Sequence, residues 1–124
     1  MQIKANCRSA FTLVEIMVVV AIIGLLASIA LPSWYRSREN AQYNSIGNNL
    51  RLLEGAKAQW ALENKKTASE TVTTVELTGF LKNNIMPQTV VGEIYVASTV
   101  GSLVTADTTA VLIGKTGPFT ITNF

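Results

Sequence analysis

Side chains equipped for chemistry are scarce in this sequence, so their positions matter more than their number. The chain has no histidine, one cysteine (Cys7) and one aspartate (Asp107) among 124 residues. That inventory holds no nucleophile–base pair, no glycine-rich phosphate cradle and no spaced set of metal ligands. The sequence therefore points away from an enzyme and predicts neither a cofactor nor a metal. Asp107 in the run T-A-D-T-T could cup a cation with Thr105, Thr108 and Thr109, but a lone aspartate among threonines reads first as a turn residue. The informative group is Glu15, the one charged side chain in F-T-L-V-E-I-M-V-V-V-A-I-I-G-L-L-A-S-I-A-L, Phe11 to Leu31. A charged side chain in hydrocarbon costs roughly 2.5–3.5 kcal/mol on insertion scales. Its presence predicts either a positively charged partner or a site near a helix end, where a carboxylate can reach the headgroups.

The element that positions Glu15 is a span-length helix. Ile16 to Tyr35 is 20 consecutive residues without Asp, Glu, Lys or Arg. At about 1.5 Å per residue such a helix covers the roughly 30 Å hydrocarbon core of a bilayer, which makes the lipid bilayer an expected partner. Upstream, M-Q-I-K-A-N-C-R-S-A carries only Lys4 and Arg8 as charges, like the n-region of a signal sequence. A secretory peptidase would cut after the apolar run at a small-x-small site, whereas here the helix is expected to run through Leu31-Pro32 into polar helix formers, so the segment is expected to be retained. Pro32 removes the helix hydrogen bond to the Ser28 carbonyl, and Gly24 weakens the same stretch. Gly24 to Pro32 is thus a candidate for local unwinding, with glycine as a small packing residue the other reading. Trp34-Tyr35 reads as an interfacial anchor.

Ala10, then Phe11-Thr12-Leu13-Val14-Glu15, then an uninterrupted apolar run ending at Pro32, resembles the class III leader and N-terminal helix of type IV pilins and pseudopilins. The resemblance is specific over about residues 10–35 and architectural beyond them. It implies cutting between Ala10 and Phe11 by a membrane prepilin peptidase, on the cytoplasmic side, and N-methylation of Phe11. Glycine is the usual residue before the cut; this chain has Ala10. Assembly would then rest on Phe11, Thr12, Glu15, Gly24 and Pro32, with Glu15 setting the register of an incoming subunit. The physics agrees: cleavage would create an α-amino group with a reference pKa of about 7.7–8.0, largely cationic, at the positive end of a helix. Glu15 lies one turn away and can compensate it, in its own chain or in a neighbour. The implied partners are copies of this chain or related pilin subunits, the prepilin peptidase and an inner-membrane assembly platform.

Beyond the membrane the chain becomes amphipathic. From Ser33 to about Asn64 the residues are good helix formers, and Ile46, Leu50, Leu53 and Trp60 recur at helical spacing, with Tyr43 and Ala61 at the margin. Lys57 interrupts this stripe, and its stem is expected to pack while its ammonium reaches out. Arg51 with Glu54, and Glu63 with Lys66, have the i,i+3 spacing of weak helix pairs. Thr73-Thr74-Val75-Glu76 has capping-box spacing ahead of Leu77, Phe80 and Leu81 and predicts a short helix ending near Asn83-Asn84. Three short strands are predicted at Glu93 to Thr99, Ala110 to Ile113 and Phe119 to Thr122, separated by turns at Gly101, Gly114 and Gly117. So few strands need a packing surface, and the Ile46, Leu50, Leu53, Trp60 stripe supplies one. The expected fold class is α+β: a lollipop with a long N-terminal helical spine packed on a small antiparallel sheet. The expected segments are a leader over 1–10, a transmembrane and assembly helix over 11–35, the amphipathic half of the spine over 36–64, and a small head over 65–124.

The formal charge of +2 includes Lys4 and Arg8. Without them basic and acidic side chains balance, which argues against a nucleic-acid surface and suits subunits that pack side by side. Cys7 precedes the apolar segment, whereas a lipobox cysteine follows one, so Cys7 reads as an incidental thiol facing the reducing cytoplasm. Its loss with the leader would leave the head without a disulfide. The expected function is a structural subunit of a type IV pilus or pilus-like fibre, inserted with its N-terminus in the cytoplasm and then extracted into a periplasmic or cell-surface fibre. The alternatives are a type II secretion pseudopilin and a non-polymerising single-pass membrane protein with a small extracytoplasmic binding head.

Overall fold

Helix α1 runs Leu13–Glu63, 51 residues, in the computed structural model, which describes residues 11–124. Ala10 and Cys7 lie outside the described residues. Contacts divide the chain into two units, with the boundary between Tyr35 and Arg36. In the first unit the helix is apolar and exposed along its length, from Leu13 through Leu31 to Trp34 and Tyr35. Pro32 sits inside the helix, and Gly24 to Pro32 is helical throughout. The Ser28 hydroxyl donates to the Leu25 carbonyl at 2.7 Å.

In the second unit one face of α1 is covered. Tyr43, Ile46, Gly47, Leu50, Leu53, Ala56, Lys57, Trp60 and Ala61 are buried, a stripe at three- and four-residue intervals. Ile46, Leu50 and Leu53 are fully buried, each worth about 1.5–3 kcal/mol of apolar transfer. The helix ends in a Schellman-type turn: Lys65 takes a left-handed φ of 51°, and the Lys66 amide reaches back to the Ala61 carbonyl at 2.8 Å. The Asn64 side chain also donates to the Trp60 carbonyl, at 2.9 Å.

The cover over this stripe is short α-turns and one small sheet. Helix α2, Thr74–Leu77, is held by Glu76, whose carboxylate accepts from both the amide and the hydroxyl of Thr73, each at 2.8 Å. Two 3₁₀ turns, Thr78–Phe80 and Lys82–Asn84, carry the chain on to Ile85, and Leu77 and Leu81 face the core. Strands β1, Ile94–Val96, and β2, Thr105–Asp107, pair antiparallel with Tyr95 opposite Ala106. Val104, Ala106, Leu112 and Phe119 complete the core against α1.

This sheet corrects the three-strand expectation. The partner of β1 is Thr105–Asp107, the polar run read above as a turn; Ala106 at its centre is fully buried and supplies the inward contact. Ala110 to Ile113 is not a strand. It leads into a tight reversal in which Leu112 and Lys115 bridge and Ile113 and Gly114 have positive φ. Phe119 contributes one bridge, to Ala106, before the chain turns into a 3₁₀ segment over Ile121–Asn123. The turn is closed by Thr120, whose amide donates to the Asn123 side-chain oxygen and whose carbonyl accepts from the Asn123 amide at 3.0 Å, in place of a third strand.

Candidate functional site

The start of α1 is built around Thr12. Its hydroxyl oxygen accepts from the Glu15 amide at 3.2 Å, capping one of the orphan donors of the first turn. The spacing is that of a capping box, yet the Glu15 carboxylate is not spent on the reciprocal bond. Among the described residues it has no hydrogen-bond or ion-pair partner and is exposed. Phe11 lies one residue ahead of Thr12, 77% exposed. A carboxylate without a partner among the described residues thus sits in the first turn, four positions after Phe11. A Cβ on Gly24 would meet nothing within 4 Å, so no contact inside the chain demands glycine there. Trp34 and Tyr35 pack edge to face at 5.2 Å between ring centroids, at the polar end of the apolar run. This is the one helix among the described residues long and apolar enough to cross a membrane.

In the head, Ile46, Leu50, Leu53 and Trp60 come together in one core with Tyr95, Val104 and Phe119. Lys57 departs from expectation. It is buried rather than reaching to solvent, and its ammonium donates to the Ser102 carbonyl and pairs with Glu54 at 3.0 Å. The other Glu54 oxygen accepts from the Val104 amide at 3.0 Å, so the pair clamps the chain entering β2 onto the helix. Neither expected helix pair forms: Arg51 donates to Asn48, and Lys66 pairs with Glu70 at 2.6 Å. Glu54 turns to Lys57 because that ammonium is buried and needs a counter-charge.

A second polar network was not legible in the sequence. The buried Glu93 carboxylate accepts from the Val90 and Val91 amides and from the Tyr95 hydroxyl, and Tyr95 in turn accepts from Asn49 of α1 at 2.8 Å. Burial pushes the Glu93 carboxyl up, but the Tyr95 hydroxyl and the Val91 and Val90 amides outweigh it and hold the group below the ordinary carboxylate range. Burial, then the hydrogen bond to Glu93, pushes the Tyr95 phenol well above its usual value. At the end of the chain, Phe124 lies over Gly47 and stacks on Tyr43, ring centroids 4.2 Å apart, while the Tyr43 hydroxyl donates to the Asn123 carbonyl. Asp107 stands at the end of β2 beside a shallow depression lined by Gly92, Ile94, Thr108 and Thr109. Among the described residues no group of acidic, histidine or cysteine side chains is placed to hold a metal. Among the described residues, then, an unpartnered Glu15 carboxylate lies on an exposed apolar helix, while in the second unit Tyr43, Glu54, Lys57, Glu93 and Tyr95 hold loops onto α1.

Residues 5–31 match the model of the prokaryotic N-terminal methylation motif. Fimbrial protein Q of Moraxella bovis is 32% identical over 106 residues, covering 79% of this chain and 68% of that protein. The type IV major alpha-pilin of the same organism is 34% identical over 102 residues, covering 63% of this chain and 64% of the relative. The type II secretion system core protein G of Klebsiella pneumoniae is 41% identical over 56 residues, 45% of this chain. Against that secretion protein and its Aeromonas hydrophila counterpart, the chain spans only 40% and 41% of the relative's length. No solved structure matches the chain significantly. With the methylation motif at its N-terminus and a fimbrial relative matched over two thirds of that relative's length, the chain belongs to the type IV pilin and pseudopilin family.

Proposed function

We propose that this chain is a structural subunit of a type IV pilus or pilus-like fibre. The observation that carries the reading is the free Glu15 carboxylate, one turn from Phe11 on an exposed apolar helix. Cleavage between Ala10 and Phe11 creates a cationic terminus at Phe11, and the N-methyl group added there leaves that charge in place. In the bilayer such a helix inserts as a single-pass precursor with residues 1–10 on the cytoplasmic side. In a bundle of such helices, where water is scarce, Glu15 of one subunit pairs with the terminus of another, and removing one partner of such a buried pair commonly costs about 3–5 kcal/mol. Gly24 gives a neighbouring helix close approach, and Pro32, whose nitrogen cannot bond the Ser28 carbonyl, permits the stretch before it to loosen during packing. Residues 11–35 thus anchor and assemble, while residues 36–124 form the outer surface. The prepilin peptidase and an inner-membrane assembly platform are the partners this route needs, and it asks for no catalytic side chain.

A type II secretion pseudopilin is the second reading, favoured by the 41% identity to core protein G over 56 residues. The pilus reading is preferred because fimbrial protein Q is matched over more of both chains. The test is the intact mass of membrane-extracted protein from cells with and without the prepilin peptidase. Loss of residues 1–10 and gain of one methyl group, only when the peptidase is present, supports the route; a chain beginning at Met1 in both strains refutes it.

A further inference from the structure

Two separate surfaces of the head carry exposed apolar side chains beside a lone charge, and the charges are opposite. On β1 burial alternates, so Tyr95 points to α1 while Ile94, 68% exposed, and Val96 point away from it. The register sets Asp107 directly across from Ile94. Beside α1 lies a groove of about 350 Å³ whose walls include Leu52, Leu81, Ile85 and Pro87, with Lys82 at its edge. Leu52 is 58% and Ile85 65% exposed. Neither Asp107 nor Lys82 has a charged or hydrogen-bonding side-chain partner among the described residues. The two surfaces share no residue. Tyr95 lies between them, its hydroxyl on Asn49 at the groove.

We propose that these surfaces are the two halves of a head-to-tail contact between copies of this chain: Ile94 and Val96 of one copy enter the Leu52–Ile85 groove of the next, and Asp107 meets Lys82 of that copy. The proposal rests on the fibre reading and names the head surface that serves it. Each surface paired with itself would oppose like charges, whereas the cross pairing matches apolar to apolar and anion to cation, which steers register and rejects the wrong partner. A contact between two different patches of one molecule is heterologous, and when its rotation does not close, it propagates as an open helical filament. Apolar area exposed on a free head is then covered in the fibre.

The test uses the full-length chain in cells that assemble fibres, with Ile85→Cys and Ile94→Cys placed singly and together and bridged in intact fibres by a short bis-maleimide. A ladder of covalent multimers from the double variant, with monomers only from each single variant, supports the contact. Fibres that form normally but give no ladder overturn it and leave the fibre reading standing; dimers from a single variant replace it with a two-fold contact. A wild-type chain that is processed yet never enters a fibre overturns both. Charge reversal is the second arm. Lys82→Asp and Asp107→Lys each lower fibre yield about fivefold, and the two together restore it to within about twofold of wild type; no restoration overturns the charge pairing.

Discussion

Gly47 and Gly55 lie on the same helix eight positions apart, yet alanine should act on them with opposite sign. Alanine in a helix interior is favoured over glycine by roughly 0.5–1 kcal/mol, because the unfolded chain loses freedom. At Gly55 a Cβ would meet nothing within 4 Å, so Gly55→Ala should gain that amount in full. At Gly47 the new Cβ would lie 2.7 Å from Cδ1 and 2.8 Å from Cγ of Phe124, closer than carbon atoms approach, so the ring must leave. Its departure removes the stack on Tyr43 and the edge contact with Phe119 at 6.2 Å, each worth about 0.5–1.5 kcal/mol beyond burial. Overpacking of this kind costs about 1–3 kcal/mol, leaving a net loss of roughly 1–2 kcal/mol. For a domain of this size 1 kcal/mol moves the midpoint by about 4–8 °C. Thermal unfolding of the detergent-solubilised chain by near-UV circular dichroism should therefore show Gly55→Ala a few degrees above wild type and Gly47→Ala several below. In a Phe124→Ala background Gly47→Ala should become stabilising. If Gly47→Ala destabilises equally with and without the Phe124 ring, the aromatic seat over Gly47 is not what the glycine serves.

Three further outcomes follow from the polar contacts. Lys57→Met keeps the buried stem but orphans the Ser102 carbonyl and leaves Glu54 without its counter-charge; Glu54 is partly exposed and can rehydrate, so the expected loss is about 2 kcal/mol, read as a lowered thermal midpoint. Glu93, with its carboxyl held low in the folded state, contributes stability that is present above the unfolded value of about 4.3 and is lost as pH falls through the depressed folded value. Glu93→Gln should flatten the acid limb of a midpoint-against-pH profile. Tyr95 works at the other end: its raised phenol gives stability present below about pH 10 and lost as pH rises past it, so Tyr95→Phe should remove part of the alkaline loss.

The helical half was legible because a 3.6-residue period writes itself on the sequence: Ile46, Leu50, Leu53 and Trp60 share a face whatever covers them. The capping contact at Glu76 was legible for the same local reason. The sheet was not, since β2 is three residues long and polar on both sides of Ala106, so its strand character comes from pairing with β1 and not from its own composition. Lys57 shows the limit most plainly. Its i,i+3 partner Glu54 was visible, but the acceptor that draws the ammonium inward is a backbone carbonyl 45 positions away, and a backbone atom leaves no trace in residue type. The Asn49–Tyr95–Glu93 chain is hidden likewise, because the amides of Val90 and Val91 supply half its donors. At the N-terminus, Glu15 stands out in the sequence as a charge in an apolar run; Thr12 as the residue that caps its amide needed the geometry.

The central claim is that Glu15 acts between subunits rather than within one. Wild-type and Glu15→Ala chains should be compared by immunoblot of membrane and sheared-fibre fractions, with membrane level and N-terminal mass measured alongside. The account predicts equal insertion and equal trimming at Phe11, with the variant missing from a fibre fraction that wild type fills. A Glu15→Ala chain that enters fibres at the wild-type level would contradict it.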